Sequence, residues 1–183
     1  AGVAQAVALL AQQLRRDGID EIAVEDPGSR GAVEELEYWG LRPVPVPVDD
    51  DGIRVDALAA CGARAAFLTP AHQFPTGVVL GPHRRRELLA WDSELVIEDD
   101  YDAEYRYDRT PLGAVQGLAP DRVAYLGSAS KILAPALRIG WLVLPAWLVE
   151  PVAEAKRFAD QGSPALDQLA LARFIAEGRL DRH

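Results

Sequence analysis

Only two side chains of this sequence carry a primary amine, Lys131 and Lys156. An amine condenses with an aldehyde to a Schiff base, and the guanidinium of an arginine does not replace it. Lys131 lies in the stretch Gly127-Ser128-Ala129-Ser130-Lys131, and Arg138 follows seven residues later. Hydroxyls and a guanidinium are the groups that hold a phosphate. An aldehyde-capturing amine among phosphate ligands points to pyridoxal 5'-phosphate. An ordinary lysine in a serine-rich turn fits the same stretch taken alone.

Two further stretches could do chemistry. Leu95-Val96-Ile97 runs into Glu98-Asp99-Asp100-Tyr101-Asp102, four carboxylates and a phenol after an apolar run. Adjacent carboxylates also bind metals, but no histidine cluster accompanies them. A solvated acidic loop explains Asp100 and Asp102 better than the first acids after a buried strand. Thr69 to Gly77 is rich in polar and rigid residues, and His72 within it reads equally as structural or functional.

The elements that position these stretches alternate. Residues 3 to 16 have helical apolar spacing, with Val3, Val7, Leu10 and Leu14 on one face. Gly2 stands before that helix, whose free N–H groups could meet a phosphate. Short apolar runs at Ile22–Glu25, Ala65–Leu68, Leu95–Ile97, Val123–Leu126 and Ile139–Leu144 read as strands. Val44 to Val48 is extended, and its prolines mark an edge strand. Helices are expected at Gly31–Trp39 (closed by Gly40), Val55–Ala60, Pro82–Trp91 and Ala146–Ala159, with a final amphipathic one at Leu166–Ala176. Arg84, Arg85 and Arg86 read as a solvated face. Strands alternating with helices imply a mainly parallel sheet covered on both sides, an α/β fold.

Composition narrows the function. The chain has 183 residues, 49% of them hydrophobic, which supports a substantial core. A net charge of -9 argues against a nucleic-acid surface on this chain. No apolar run is long enough for a membrane span, and no signal peptide is visible. The single cysteine, Cys61, fits a reducing cytoplasm. The chain has no methionine and ends without a closing loop, so it reads as an internal piece of a longer protein.

Five segments in order carry a family resemblance: Val24-Glu25-Asp26-Pro27-Gly28, Pro70-Ala71-His72-Gln73-Phe74-Pro75-Thr76-Gly77, Glu98-Asp99-Asp100-Tyr101-Asp102, Ser128-Ala129-Ser130-Lys131 and Phe174-Ile175-Ala176-Glu177-Gly178. Together they resemble the fold-type I pyridoxal-phosphate enzymes of the aspartate aminotransferase superfamily. The wording is closer still to the aminotransferase-like domain of MocR regulators, a GntR subfamily of bacterial transcription factors. The resemblance implies a three-layer large domain with a mixed, mainly parallel sheet in which Ile139 to Leu144 runs antiparallel. It gives Lys131 the role of the Schiff-base lysine, Asp99 that of the carboxylate on the pyridine nitrogen, and Tyr101 that of the phenol on the ring oxygen O3'. It makes Ser128, Ser130 and Arg138 phosphate ligands, and Val3, Ala4 and Gln5 the helix start that caps the phosphate.

The sequence departs from the pattern at two places. Phe74 stands where the superfamily has an asparagine on O3', which leaves His72 or Gln73 as a substitute. Ser29 stands where an aromatic ring stacks on the cofactor. The resemblance also implies a first sheet strand and a DNA-binding helix-turn-helix upstream, a small domain downstream, and a homodimer. Two functions fit: a cofactor-binding effector domain of a MocR-type regulator, responding to an amino acid or amine, or a transaminase acting on an amino acid.

Overall fold

The computed structural model describes residues 2–102 and 113–183. Seven strands form one sheet in the order β3-β2-β1-β4-β5-β6-β7. They are β1 (Glu21–Asp26), β2 (Arg42–Asp49), β3 (Gly52–Ile53), β4 (Ala65–Leu68), β5 (Leu95–Asp100), β6 (Val123–Ser128) and β7 (Gly140–Val143). β2, β1, β4, β5 and β6 are mutually parallel, and the short β3 and β7 are antiparallel to their neighbours. The sheet is therefore mixed and mainly parallel, with β7 reversed as the resemblance implies.

Alternation along each strand sorts its side chains between two cores. Ile22 and Val24, Ala65 and Phe67, Leu95 and Ile97, and Ala124 and Leu126 enter one core. Helices α1 (Gly2–Arg16), α2 (Arg30–Tyr38) and α6 (Ala146–Asp160) close it with Leu10, Leu14, Leu36 and Leu148. The intervening Ala23, Ala66, Leu68, Val96 and Val123 enter the second core, covered by α3 (Val55–Ala60) and α4 (Pro82–Ala90). Each fully buried Leu or Ile contributes about 1.5–3 kcal/mol, so helices, sheet and helices hold together as three layers. A short α5 (Ala129–Ile132) follows β6, and α7 (Ala165–Ala176) and α8 (Arg179–Arg182) end the chain.

Three expectations change. β2 is not the sheet's outermost strand, because β3 pairs with Val48 and Asp49. The prolines are still tolerated for the reason that suggests an edge. The Arg42 N–H donates toward β1, to the carbonyl of Asp20, so Pro43, Pro45 and Pro47 face away from that ladder. The arginine run on α4 is not a solvated face. Arg84 donates to the carbonyl of Ile53 (2.6 Å) and to Asp49 (3.0 Å), and the buried Arg85 donates to the carbonyls of Leu80 (3.2 Å) and Gly113 (2.6 Å). Only Arg86 is exposed. Finally, α7 buries none of its side chains here, and α8 follows it.

Because the five parallel strands run the same way, their carboxyl ends share one rim of the sheet. That rim holds Asp26, the loop after Leu68, Asp99 with Asp100, and Ser128. Ligands of open α/β sheets bind along this edge.

Candidate functional site

β5 continues past its apolar run because its carboxylates are absorbed in different ways. Glu98 is 1% exposed and accepts the N–H groups of Val115 and Gln116 at 2.9 Å each. It holds the start of the 3-10 turn Gln116–Leu118, and burial raises its pKa against those hydrogen bonds. Asp100 leaves the strand on the same face and accepts the hydroxyl of Tyr125 at 2.9 Å. Asp99 leaves on the opposite face, the one α1 covers. Its Oδ1 is buried and has no hydrogen-bond partner among the described residues. Burial first, then the charges of Asp100, Glu25 and Asp102, push its pKa up to about 7. A buried carboxylate oxygen without a donor is costly and uncommon.

The loop after β4 is fastened from inside. Glu25, 8% exposed at the end of β1, accepts both the N–H (3.1 Å) and the hydroxyl (2.6 Å) of Thr69. Burial raises its pKa, and the Thr69 and Gln73 hydrogen bonds oppose the rise. Gln73 is 2% exposed. Its amide nitrogen donates to the carbonyls of Pro27 (2.8 Å) and Phe74 (2.7 Å), and its oxygen accepts the N–H (3.1 Å) and hydroxyl (2.5 Å) of Thr76. Gln73 is therefore a structural tie between two turns rather than a replacement for the missing asparagine. Truncating it should leave several buried groups unpartnered, at about 1–3 kcal/mol each. Gln73→Ala is expected to lower the unfolding midpoint clearly in a thermal melt. Gln73→Glu should cost at least as much, since it turns a carboxylate toward two carbonyls and Glu25.

His72 and Tyr101 face outward from this scaffold. The Tyr101 hydroxyl donates to the His72 carbonyl at 3.0 Å, and the two rings stack at 5.9 Å and 21°. His72 Nδ1 lies 2.5 Å from Asp102 Oδ2. Phe74 meets Tyr101 edge-on at 6.5 Å. Burial, followed by the nearby carboxylates led by Asp102, raises the Tyr101 pKa to about 12. Ser29 accepts the Ala32 N–H at 3.3 Å as the N-cap of α2, which is a structural role for a residue that cannot stack.

The lysine segment begins where β6 ends. Ser128 is buried and caps α5, its hydroxyl accepting the Ser130 N–H at 3.0 Å. Lys131 lies exposed in the last turn of α5. Arg138 adopts a left-handed backbone (φ 52°) after a 3-10 turn. That conformation brings its guanidinium over the start of α1, where a Cβ added to Gly2 would lie 3.3 Å from Nη2. Gly140 permits the same approach from β7, since a Cβ there would lie 3.2 Å from the Gly2 backbone. Val3 packs against the core and Ala4 is exposed, so their contribution at the helix start is their backbone N–H groups. The Gln5 side chain donates to Asp160 at 2.9 Å.

The structure thus gathers the expected residues in two groups. Gly2, Gln5 and Arg138 line a cavity of about 310 Å³ between α1, β7 and the α6–α7 corner. Asp99, Tyr101 and Lys131 do not line it; they lie along the strand-end rim, on or just after the neighbouring β5 and β6, which pair through Asp99 and Leu126. Glu25, Thr69 and the buried role of Gln73 went unassigned from the sequence. The one available signal was a carboxylate ending the apolar run Ile22-Ala23-Val24.

No family model matches the chain. The chain is 36% identical over 190 residues to the probable rhizopine catabolism regulatory protein MocR of Rhizobium meliloti, covering 100% of this chain and 38% of that protein. It is 39% identical over 167 residues to the uncharacterised HTH-type transcriptional regulator YhdI of Bacillus subtilis, covering 89% of this chain and 36% of that protein. The chain matches the aminotransferase-like part of MocR-type regulators. Its fold is that of the fold-type I aminotransferases. It matches the kynurenine aminotransferase of Pyrococcus horikoshii at a TM-score of 0.88 with 29% identity, over 100% of this chain and 48% of that one. The chain spans less than half the length of each of these proteins.

Proposed function

We propose that this chain is the cofactor-binding part of a MocR-type transcriptional regulator, holding pyridoxal 5'-phosphate with Lys131 as the attachment point. The observation that carries the reading is Asp99 Oδ1, buried and without a donor among the described residues at the carboxyl end of β5. A protonated pyridine nitrogen is a donor of the required charge, and its approach would favour the ionised carboxylate.

The other side chains fit the same group. Arg138 and the first N–H groups of α1, at Val3, Ala4 and Gln5, offer positive charge and donors to a phosphate, with Ser128 and Ser130 beside them. Glycines at positions 2 and 140 leave room where a Cβ would intrude. Tyr101 offers a phenol for the ring oxygen. Once bound, pyridoxal phosphate supplies an aldehyde and an electron-withdrawing ring. The protein's part is to hold the proton on the ring nitrogen through Asp99, present the Lys131 amine, and neutralise the phosphate through Arg138.

In this reading the complete protein carries its DNA-binding helix-turn-helix upstream and a small domain downstream, forms a homodimer, and works in the cytoplasm. The net charge of -9 leaves DNA contact to the upstream part. An amino acid or amine is the effector. Transamination of an amino acid is the second reading, favoured by the match to a kynurenine aminotransferase.

Turnover with the full-length protein, loaded with pyridoxal phosphate and offered amino acids with 2-oxo acids, separates the two. The expected result is turnover far below the 1–10³ s⁻¹ usual for enzymes, together with an effect of the cofactor on binding to its DNA site. Turnover within that range, with no effect on DNA binding, would reverse the assignment.

A further inference from the structure

We propose that His72 and Asp102 form a positioning pair that holds the Tyr101 phenol in place for the cofactor, in a site that lacks the superfamily's asparagine. The proposal rests on the cofactor reading above and concerns residues to which that reading gives no role.

Three contacts join the loop after β4 to the end of β5. The imidazole of His72 is fixed to Asp102 at 2.5 Å, its ring stacks on Tyr101, and its carbonyl accepts the Tyr101 hydroxyl at 3.0 Å. Phe74 also meets the phenol ring, edge-on. His72 cannot drift with the loop, because its neighbours Ala71 and Gln73 are 7% and 2% exposed. Gly77, at φ 78°, turns the loop back beside the imidazole, where a Cβ would lie at ordinary contact distance, 3.4 Å from Nε2. Asp102 directly follows Tyr101 in the chain, so tying Asp102 to His72 also restricts the backbone that carries the phenol.

The pair matters because of Phe74. A phenylalanine has no polar atom for the ring oxygen, and the amide of Gln73 is engaged inside the loop. With the His72 imidazole tied to Asp102, Tyr101 is the described side chain left to contact that oxygen. A phenol has one proton to donate, and in this structure the His72 carbonyl takes it, so a bound ring oxygen would compete for that proton and the position of the phenol decides whether it can. Stacking one face of the ring on His72, meeting it edge-on with Phe74 and tying the backbone behind it restrict that position.

The test uses full-length protein loaded with pyridoxal phosphate and follows the pH midpoint of its visible absorption band. Tyr101→Phe, His72→Ala and Asp102→Asn are each expected to move the midpoint in the same direction, by about one unit. The double variant His72→Ala/Tyr101→Phe should move it no further than Tyr101→Phe alone, since residues acting through one another are not additive. Exposed Arg86→Ala should leave it in place. Midpoints unchanged in His72→Ala and Asp102→Asn beside a shift in Tyr101→Phe would overturn the proposal and leave the cofactor reading intact. So would shifts that simply add. A wild-type protein with no visible band would overturn both, and is recognisable as that separate result.

Discussion

Asp99→Asn is expected to stabilise the ligand-free protein and weaken its hold on pyridoxal phosphate. In the folded chain the Asp99 pKa lies near 7, against 3.8 for the free side chain. The native state therefore binds more protons than the unfolded one between those values, and stability falls as pH rises from about 4 to about 7. Above pH 7 the buried charge costs on the order of 4 kcal/mol. An asparagine carries no such charge, so the variant should gain a few kcal/mol at pH 8 and almost nothing at pH 4. Thermal melts of the ligand-free protein at the two pH values read this directly. Cofactor affinity should move the opposite way, falling about 10–100-fold as a charge-assisted hydrogen bond is lost. A functional group held at a cost to the empty fold has this signature. Equal melting of the two proteins at pH 8 would mean that Asp99 is not buried as a charge.

Arg138→Ala should separate the phosphate from the rest of the cofactor. The guanidinium lies over the start of α1, on the opposite side of the lysine segment from the carboxylate rim. Its loss should weaken pyridoxal phosphate by about 10–100-fold and barely change the affinity for pyridoxal, which has no phosphate. The effect should shrink at high salt, because the partner is an anion. An equal loss for both ligands would place Arg138 in a structural role.

The sequence is most informative where local pattern and final environment agree. Ala65–Leu68 is an uninterrupted apolar run between breakers and forms a strand with those bounds. β5 extends to Asp100 and β6 to Ser128 because their polar ends still pair with the neighbouring strand, which composition does not reveal. Arg84 and Arg85 have the look of surface charge. Their inward placement depends on the carbonyl of Leu80 and on those of Ile53 and Gly113, the last two supplied by distant parts of the chain. Glu25 finds Thr69 forty-four residues away, which no local reading anticipates. The order of motifs brings Asp99, Tyr101, Lys131 and Arg138 into view as candidates. That Asp99 Oδ1 is left without a donor among the described residues, and that Gln73 turns inward while His72 turns out, are properties of the packed structure alone.

The central claim is that Lys131 is the attachment point of pyridoxal phosphate. The direct measurement is borohydride reduction of the full-length protein loaded with the cofactor, followed by mass mapping of the modified peptide. The account predicts one cofactor fixed on Lys131, none on Lys156, and loss of both the visible band and the label in Lys131→Ala. A label on Lys156, or a band and label that survive in Lys131→Ala, would contradict it.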